Sequence, residues 1–180
     1  MNTVTRVILA LSLVSAAYAA DDVVSAVHGT VQKIDSAAKV IVVKAADGTE
    51  YSLHLIKTTA VHGAKASAAA AKGSWHGVKA GSEVVAHYAK RGTEDTALEI
   101  DRVGEDGLKV TKGTVKTIDR GGKTLVVKTD SGAEETFKLT DHAAKDAGKG
   151  IAEGTEKGSE VVVYSTEDAG KKIAHFFEGK

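Results

Sequence analysis

The chain has 180 residues, 42% of them hydrophobic, and carries 24 basic against 24 acidic side chains, so its formal net charge is zero. That composition suits one medium or two small globular domains and excludes a wholly disordered chain. Neither half departs from charge balance, which removes the long-range field that draws proteins to DNA, RNA or acidic membranes.

Residues 1–20 hold one early charge, Arg6, then an apolar run from Val7 to Val14, then small residues ending Ala17-Tyr18-Ala19-Ala20. These are the parts of a secretory signal cleaved after Ala19 or Ala20. The run is too short to span a bilayer, which takes about 20 residues. The mature protein is therefore expected to be periplasmic or secreted, without stable membrane insertion; a retained anchor is the alternative. Cysteine and proline are both absent. This removes disulfides, thiolate metal ligands, thiol nucleophiles, a lipid-bearing cysteine and a Pro-rich linker.

After the signal, the first predicted strand runs from Ala26 to Ile34 and ends in Asp35, a residue that supports a turn by bonding nearby backbone. Val40 to Lys44 is β-branched and nearly continuous, as in a strand covered on both faces. Asp47-Gly48 makes a tight hairpin. The returning strand, Glu50 to Leu55, puts Tyr51, Leu53 and Leu55 on one face and Glu50, Ser52 and His54 on the other. Lys57 to Gly81 is a long connector with an Ala-rich helical stretch from Ala66 to Lys72. Strands from Glu83 to Tyr88 and from Thr96 to Val103 follow.

The pattern then recurs. His28-Gly-Thr-Val-Gln-Lys-Ile-Asp35 matches Lys112-Gly-Thr-Val-Lys-Thr-Ile-Asp119 at an offset of 84, and Gly81-Ser-Glu-Val-Val85 matches Gly158-Ser-Glu-Val-Val162 at an offset of 77. The first copy thus has the longer connector, and a length difference belongs in a loop. In the second copy, Thr140-Asp141 is a predicted helix start leading into Ala143 to Ala147. Strands from Glu160 to Tyr164 and from Lys171 to Phe177 close it.

Strand, strand, strand, short helix, strand, strand is the order of a five-stranded Greek-key barrel of the OB type, with an SH3-like barrel as the alternative. The expected fold class is mainly β: two tandem small barrels, each with a short helix between its third and fourth strands. Residues 1–20 form the signal, 21–104 the first domain, 105–111 a linker and 112–180 the second domain. The Gly-Thr-Val-x-x-Ile-Asp, Val-Val-Lys, Gly-Ser-Glu-Val-Val and Ala97-x-x-Ile100 segments resemble small exported bacterial OB-like domains of unknown function that occur in tandem. The likeness covers about 28–103 and 112–177. It implies a fold and an export route, and lends no catalytic residues.

OB folds that bind single strands need aromatic platforms and a basic groove. Here aromatics are 4% of the chain and the charge is neutral, so no nucleic-acid partner is expected. Nucleophile-elbow, phosphate-loop, dinucleotide and EF-hand patterns are absent, and no enzyme activity or cofactor is expected. Five of the seven histidines, His28, His54, His62, His76 and His87, lie in the first copy. His62 and His76 flank the Ala-rich connector and are the nominated metal ligands; scattered surface histidines are the plainer reading. Ser74 and Trp75 mark a candidate binding loop, with Trp75 either an exposed anchor for a protein or glycan partner or a lid on the barrel. The expected function is a non-enzymatic exported binding or structural module. An envelope metal-binding protein using first-domain histidines, or a self-assembling surface component, is the alternative.

Overall fold

The computed structural model describes residues 24–62, 77–105, 107–146 and 156–179. The signal segment, Ser74, Trp75, His76 and the Ala-rich stretch lie outside the described residues. Ten strands and one helix are present among those described: β1 (Val24–Asp35), β2 (Val40–Ala45), β3 (Glu50–His62), β4 (Glu83–Arg91), β5 (Glu94–Arg102), β6 (Lys109–Asp119), β7 (Thr124–Thr129), β8 (Glu134–Leu139), α1 (Asp141–Asp146), β9 (Glu160–Asp168) and β10 (Lys171–Gly179). No described helix is long and apolar enough to cross a membrane.

The strands close two barrels, ordered β1-β2-β3-β5-β4 and β6-β7-β8-β10-β9. All neighbours are antiparallel except β3 with β5 and β8 with β10. Closure leaves no free edge in either sheet. The first interior is filled by Val31, Ile41, Val43, Leu53, Val84, Ala86, Ala97 and Ile100. At matching positions the second holds Val115, Leu125, Val127, Phe137, Val161, Val163, Ala174 and Phe177.

The repeated Gly-Thr-Val has a steric cause. At Gly29 a Cβ would overlap the carbonyl oxygen of Lys44, and at Gly113 that of Lys128. Each glycine lets its first strand bend across the neighbouring backbone while pairing on both sides. The turn aspartates act as expected: Asp35 accepts from the Ala38 amide at 2.9 Å and Asp119 from the Gly122 amide at 2.8 Å.

Several strands run further than the periodicity indicates. β3 continues to His62 because it stays paired with β5 beyond the end of its β2 pairing at His54, resuming at Ala60 after an irregularity that follows Leu55. There the Thr59 hydroxyl donates to the Ala97 carbonyl at 2.6 Å. β6 starts at Lys109, inside the expected 105–111 linker. The connection is shorter because Leu108 donates its amide to the Arg102 carbonyl at 2.7 Å and is itself buried. α1 sits between β8 and β9, and Thr140 caps it by accepting from the Ala143 amide at 3.1 Å.

Strand alternation turns a second set of side chains outward on β4, β5, β9 and β10. Val85, Val103, Leu108, Val162, Tyr164 and Phe176 form a separate apolar cluster there, where the two barrels meet. β5 is accordingly buried on both faces over Glu99, Ile100 and Asp101.

Candidate metal centre

Polar residues sit beside this apolar seam. In β5, Ile100 faces the first barrel interior, so Glu99 and Asp101 face the seam. Parallel pairing sets His62 of β3 opposite Asp101, and antiparallel pairing sets His87 of β4 opposite Glu99. From the second barrel, α1 brings His142 and β10 brings His175. His175 is the extra residue of a bulge, since Ser165 pairs with Ala174 and Tyr164 with Phe176, leaving His175 without an opposite number. Bulges re-aim a side chain in this way.

The histidines converge on the two carboxylates through their Nδ1 atoms. His62 Nδ1 lies 2.8 Å from Asp101 Oδ1 and 3.3 Å from Glu99 Oε1. His142 Nδ1 lies 2.7 Å from Glu99 Oε2. His175 Nδ1 is 3.5 Å from Asp101 Oδ2 and 3.6 Å from Glu99 Oε1, ion-pair distances longer than a hydrogen bond. Accordingly, Asp101 Oδ2 and His175 Nδ1 are buried without a hydrogen-bond partner. His175 Nε2 lies 3.0 Å from the Thr166 hydroxyl, which can accept its proton and so fix the ring with Nδ1 toward the carboxylates.

Electrostatics fit this arrangement. Burial is the largest influence on Glu99 and opposes its ionisation, yet the hydrogen bond from His142, His175 and the charges of His87 and His175 outweigh it and hold the carboxyl well below its usual range. Asp101 is also lowered, with burial opposed by His175 and His62. Burial pulls His175 down, but Asp101 and Glu99 push it up to about 9. His62 is raised chiefly by Asp101. With no metal present, both carboxyls therefore favour the ionised form, and His62 and His175 favour the protonated form.

One ligand atom each from His62, Glu99 and Asp101 lies within 4.8 Å of the others. A zinc ion bonds imidazole nitrogen and carboxylate oxygen at about 2.0–2.1 Å, which at tetrahedral angles separates neighbouring ligand atoms by roughly 3.3 Å. The His62–Glu99, His175–Asp101 and His175–Glu99 separations of 3.3, 3.5 and 3.6 Å lie near that spacing, while His62 and Asp101, 2.8 Å apart, stand closer, at hydrogen-bond distance. A cavity of about 230 Å³ lined by His62, Asp101, Arg102, Leu108, Thr166 and His175 opens onto the cluster.

Of the residues nominated from sequence, His62 belongs to this cluster, whereas His76, Trp75 and Ser74 lie outside the described residues. His54 is on the outer face of β3, 3.8 Å from Glu94 and away from the seam. Sequence reasoning missed Glu99, Asp101, His142 and His175. Two acids two residues apart in an apolar strand were a usable signal, because period-2 alternation puts both on one face. Nothing local reveals that a second barrel covers that face.

A second group of polar residues crosses the seam. His28 Nε2 lies 2.7 Å from Glu83 Oε1, and its Nδ1 lies 3.1 Å from the Tyr164 hydroxyl and 3.4 Å from Glu178 Oε1. The Tyr164 hydroxyl donates to Glu178 at 2.8 Å.

No family model matches the chain, and no curated protein matches it. Among solved structures it is similar to one described as the crystal structure of Ag(I)CusF. The two share 16% identity over 44% of this chain and 97% of that chain, with a TM-score of 0.34.

Proposed function

We propose that this is a non-enzymatic, exported metal-binding protein built of two OB-like barrels, which takes one divalent transition-metal ion at the His62, Glu99 and Asp101 cluster. The observation that carries the reading is the convergence of these three ligand atoms within 4.8 Å, with two of the side chains buried and ionised. A buried pair of carboxylates is costly unless cations face it, and a bound ion would take over that part from the protons on the facing histidines. The strand order and the single parallel pairing of each barrel support the OB-like reading, and the signal-like first 20 residues support export. Imidazole and carboxylate donors suit Zn(II), Ni(II) and Cu(II); soft monovalent ions prefer thiolate and thioether donors. Cysteine is absent, and the single methionine is Met1.

Calorimetric titration of the mature protein with Zn(II), Ni(II) and Cu(II) tests this. One ion per chain at micromolar affinity or better is expected, weakened at least tenfold by His62→Ala. Absence of binding by all three ions, or binding that His62→Ala leaves unchanged, overturns the assignment.

A further inference from the structure

We infer that the metal is a clasp between the barrels: His175 of the second barrel supplies a ligand to the site whose other donors, His62, Glu99 and Asp101, belong to the first. This deepens the proposed function and rests on it.

His175 Nδ1 stands 3.5 Å from Asp101 and 3.6 Å from Glu99, is buried, and makes no hydrogen bond. The 230 Å³ cavity beside it is walled by both barrels, with His62, Asp101 and Arg102 from one and Thr166 and His175 from the other. The bulge in β10 has a counterpart in β5, where the unpaired residue is Leu98. The same backbone device thus aims an aliphatic side chain in one barrel and an imidazole in the other. His142 has a different part. It holds Glu99 Oε2 at 2.7 Å, which leaves Oε1 facing His62 and His175. His142 is a positioning residue, fixing which carboxylate oxygen meets the ion.

Ligands drawn from two barrels make docking and metal binding one linked equilibrium. Without metal, the barrels are held by a modest apolar cluster and a few ion pairs, and interfaces of that kind allow relative motion. Because three donors stay together in the first barrel, an ion held at least tenfold more tightly when His175 joins them shifts the docked-to-open ratio at saturation by that same factor.

The chain lacks cysteine, so Lys44→Cys and Lys128→Cys, exposed and equivalent positions on β2 and β7, place one nitroxide label on each barrel. Electron-electron distance measurements are made on the full mature chain with and without Zn(II), beside Zn(II) calorimetry. Zn(II) is expected to narrow the inter-barrel distance distribution. His175→Leu, which installs the residue that the first barrel carries at its bulge, is expected to weaken Zn(II) at least tenfold and to abolish the narrowing. His175→Gln serves as the second variant, and circular dichroism checks that each variant folds. Zn(II) binding at unchanged affinity in both variants, or a distribution that Zn(II) leaves unaltered, overturns the clasp while leaving the metal site standing. Failure of the parent chain to bind Zn(II), Ni(II) or Cu(II) overturns both.

Discussion

At equivalent positions of their fourth and fifth strands the first barrel carries Val85, His87, Glu99 and Asp101, and the second carries Val162, Tyr164, Phe176 and Glu178. These outward residues face one another across the seam. Inward, the same strands differ only in size, as in Ala86 against Val163 or Ile100 against Phe177. One framework therefore carries two chemistries: a carboxylate face, and an aromatic face with one re-aimed histidine. The framework is set by inward packing and turn glycines, while the site depends on which outward residues the seam removes from water.

Asp101 and Glu178 give the sharpest test, because they occupy matching positions. The Asp101 side chain is 1% exposed and the Glu178 side chain 36%. Removing one partner of a buried charge network leaves other charges uncompensated and costs about 3–5 kcal/mol, whereas an exposed pair is worth about 1 kcal/mol or less. In metal-free protein, Asp101→Asn is expected to lower unfolding stability by about 3 kcal/mol and Glu178→Gln by less than about 1 kcal/mol. Urea unfolding with a chelator present measures both. Equal losses would mean that the seam opens readily and that Asp101 is hydrated.

The inward framework makes the opposite prediction, equality. Gly29→Ala and Gly113→Ala each drive a methyl group into a neighbouring strand's carbonyl oxygen. Each is expected to cost about 2 kcal/mol, in the range of overpacking strain. Thermal unfolding of the two variants checks this. A large cost at one glycine alone would show that the copies do not share their first-strand geometry.

Much of this frame is legible in the amino-acid sequence. The Gly-Thr-Val and Gly-Ser-Glu-Val-Val repeats, the turn aspartates and the alternation of Tyr51, Leu53 and Leu55 are local signals that report strand, turn and inward face. The site is less legible for a physical reason. His62 and Asp101 are 39 residues apart, and Glu99 and His142 are 43 apart, and they meet only because β3 keeps its pairing with β5 past an irregularity and the barrels dock. Periodicity shows that Glu99 and Asp101 share a face; the burial of that face is a tertiary fact. The length of β3 is likewise hidden, since Lys57, Thr58 and Thr59 interrupt the apolar alternation at the irregularity between Leu55 and Ala60.

His28 separates the two seam clusters by their response to pH. It faces Glu83 from β4, Tyr164 from β9 and Glu178 from β10, none of which touches the metal centre. Burial, the largest influence, pulls the His28 pKa down, but Glu178 and Glu83 prevail and raise it above its ordinary value. A histidine with a raised folded pKa binds its proton more tightly folded than unfolded. Its contribution is therefore complete below about pH 6.5, the unfolded value, and is lost as pH rises through the folded value. His28→Gln is thus expected to cost more at pH 6 than at pH 9, by about 0.5–1 kcal/mol, because the side chains are partly exposed. Urea midpoints of parent and variant, measured with chelator at both pH values, give that difference directly. Taking the difference removes the titration of His62, His142 and His175, which both proteins share. An equal cost at the two pH values would mean that His28 is neutral in the folded protein, leaving Glu99 and Asp101 as the seam's main electrostatic hold.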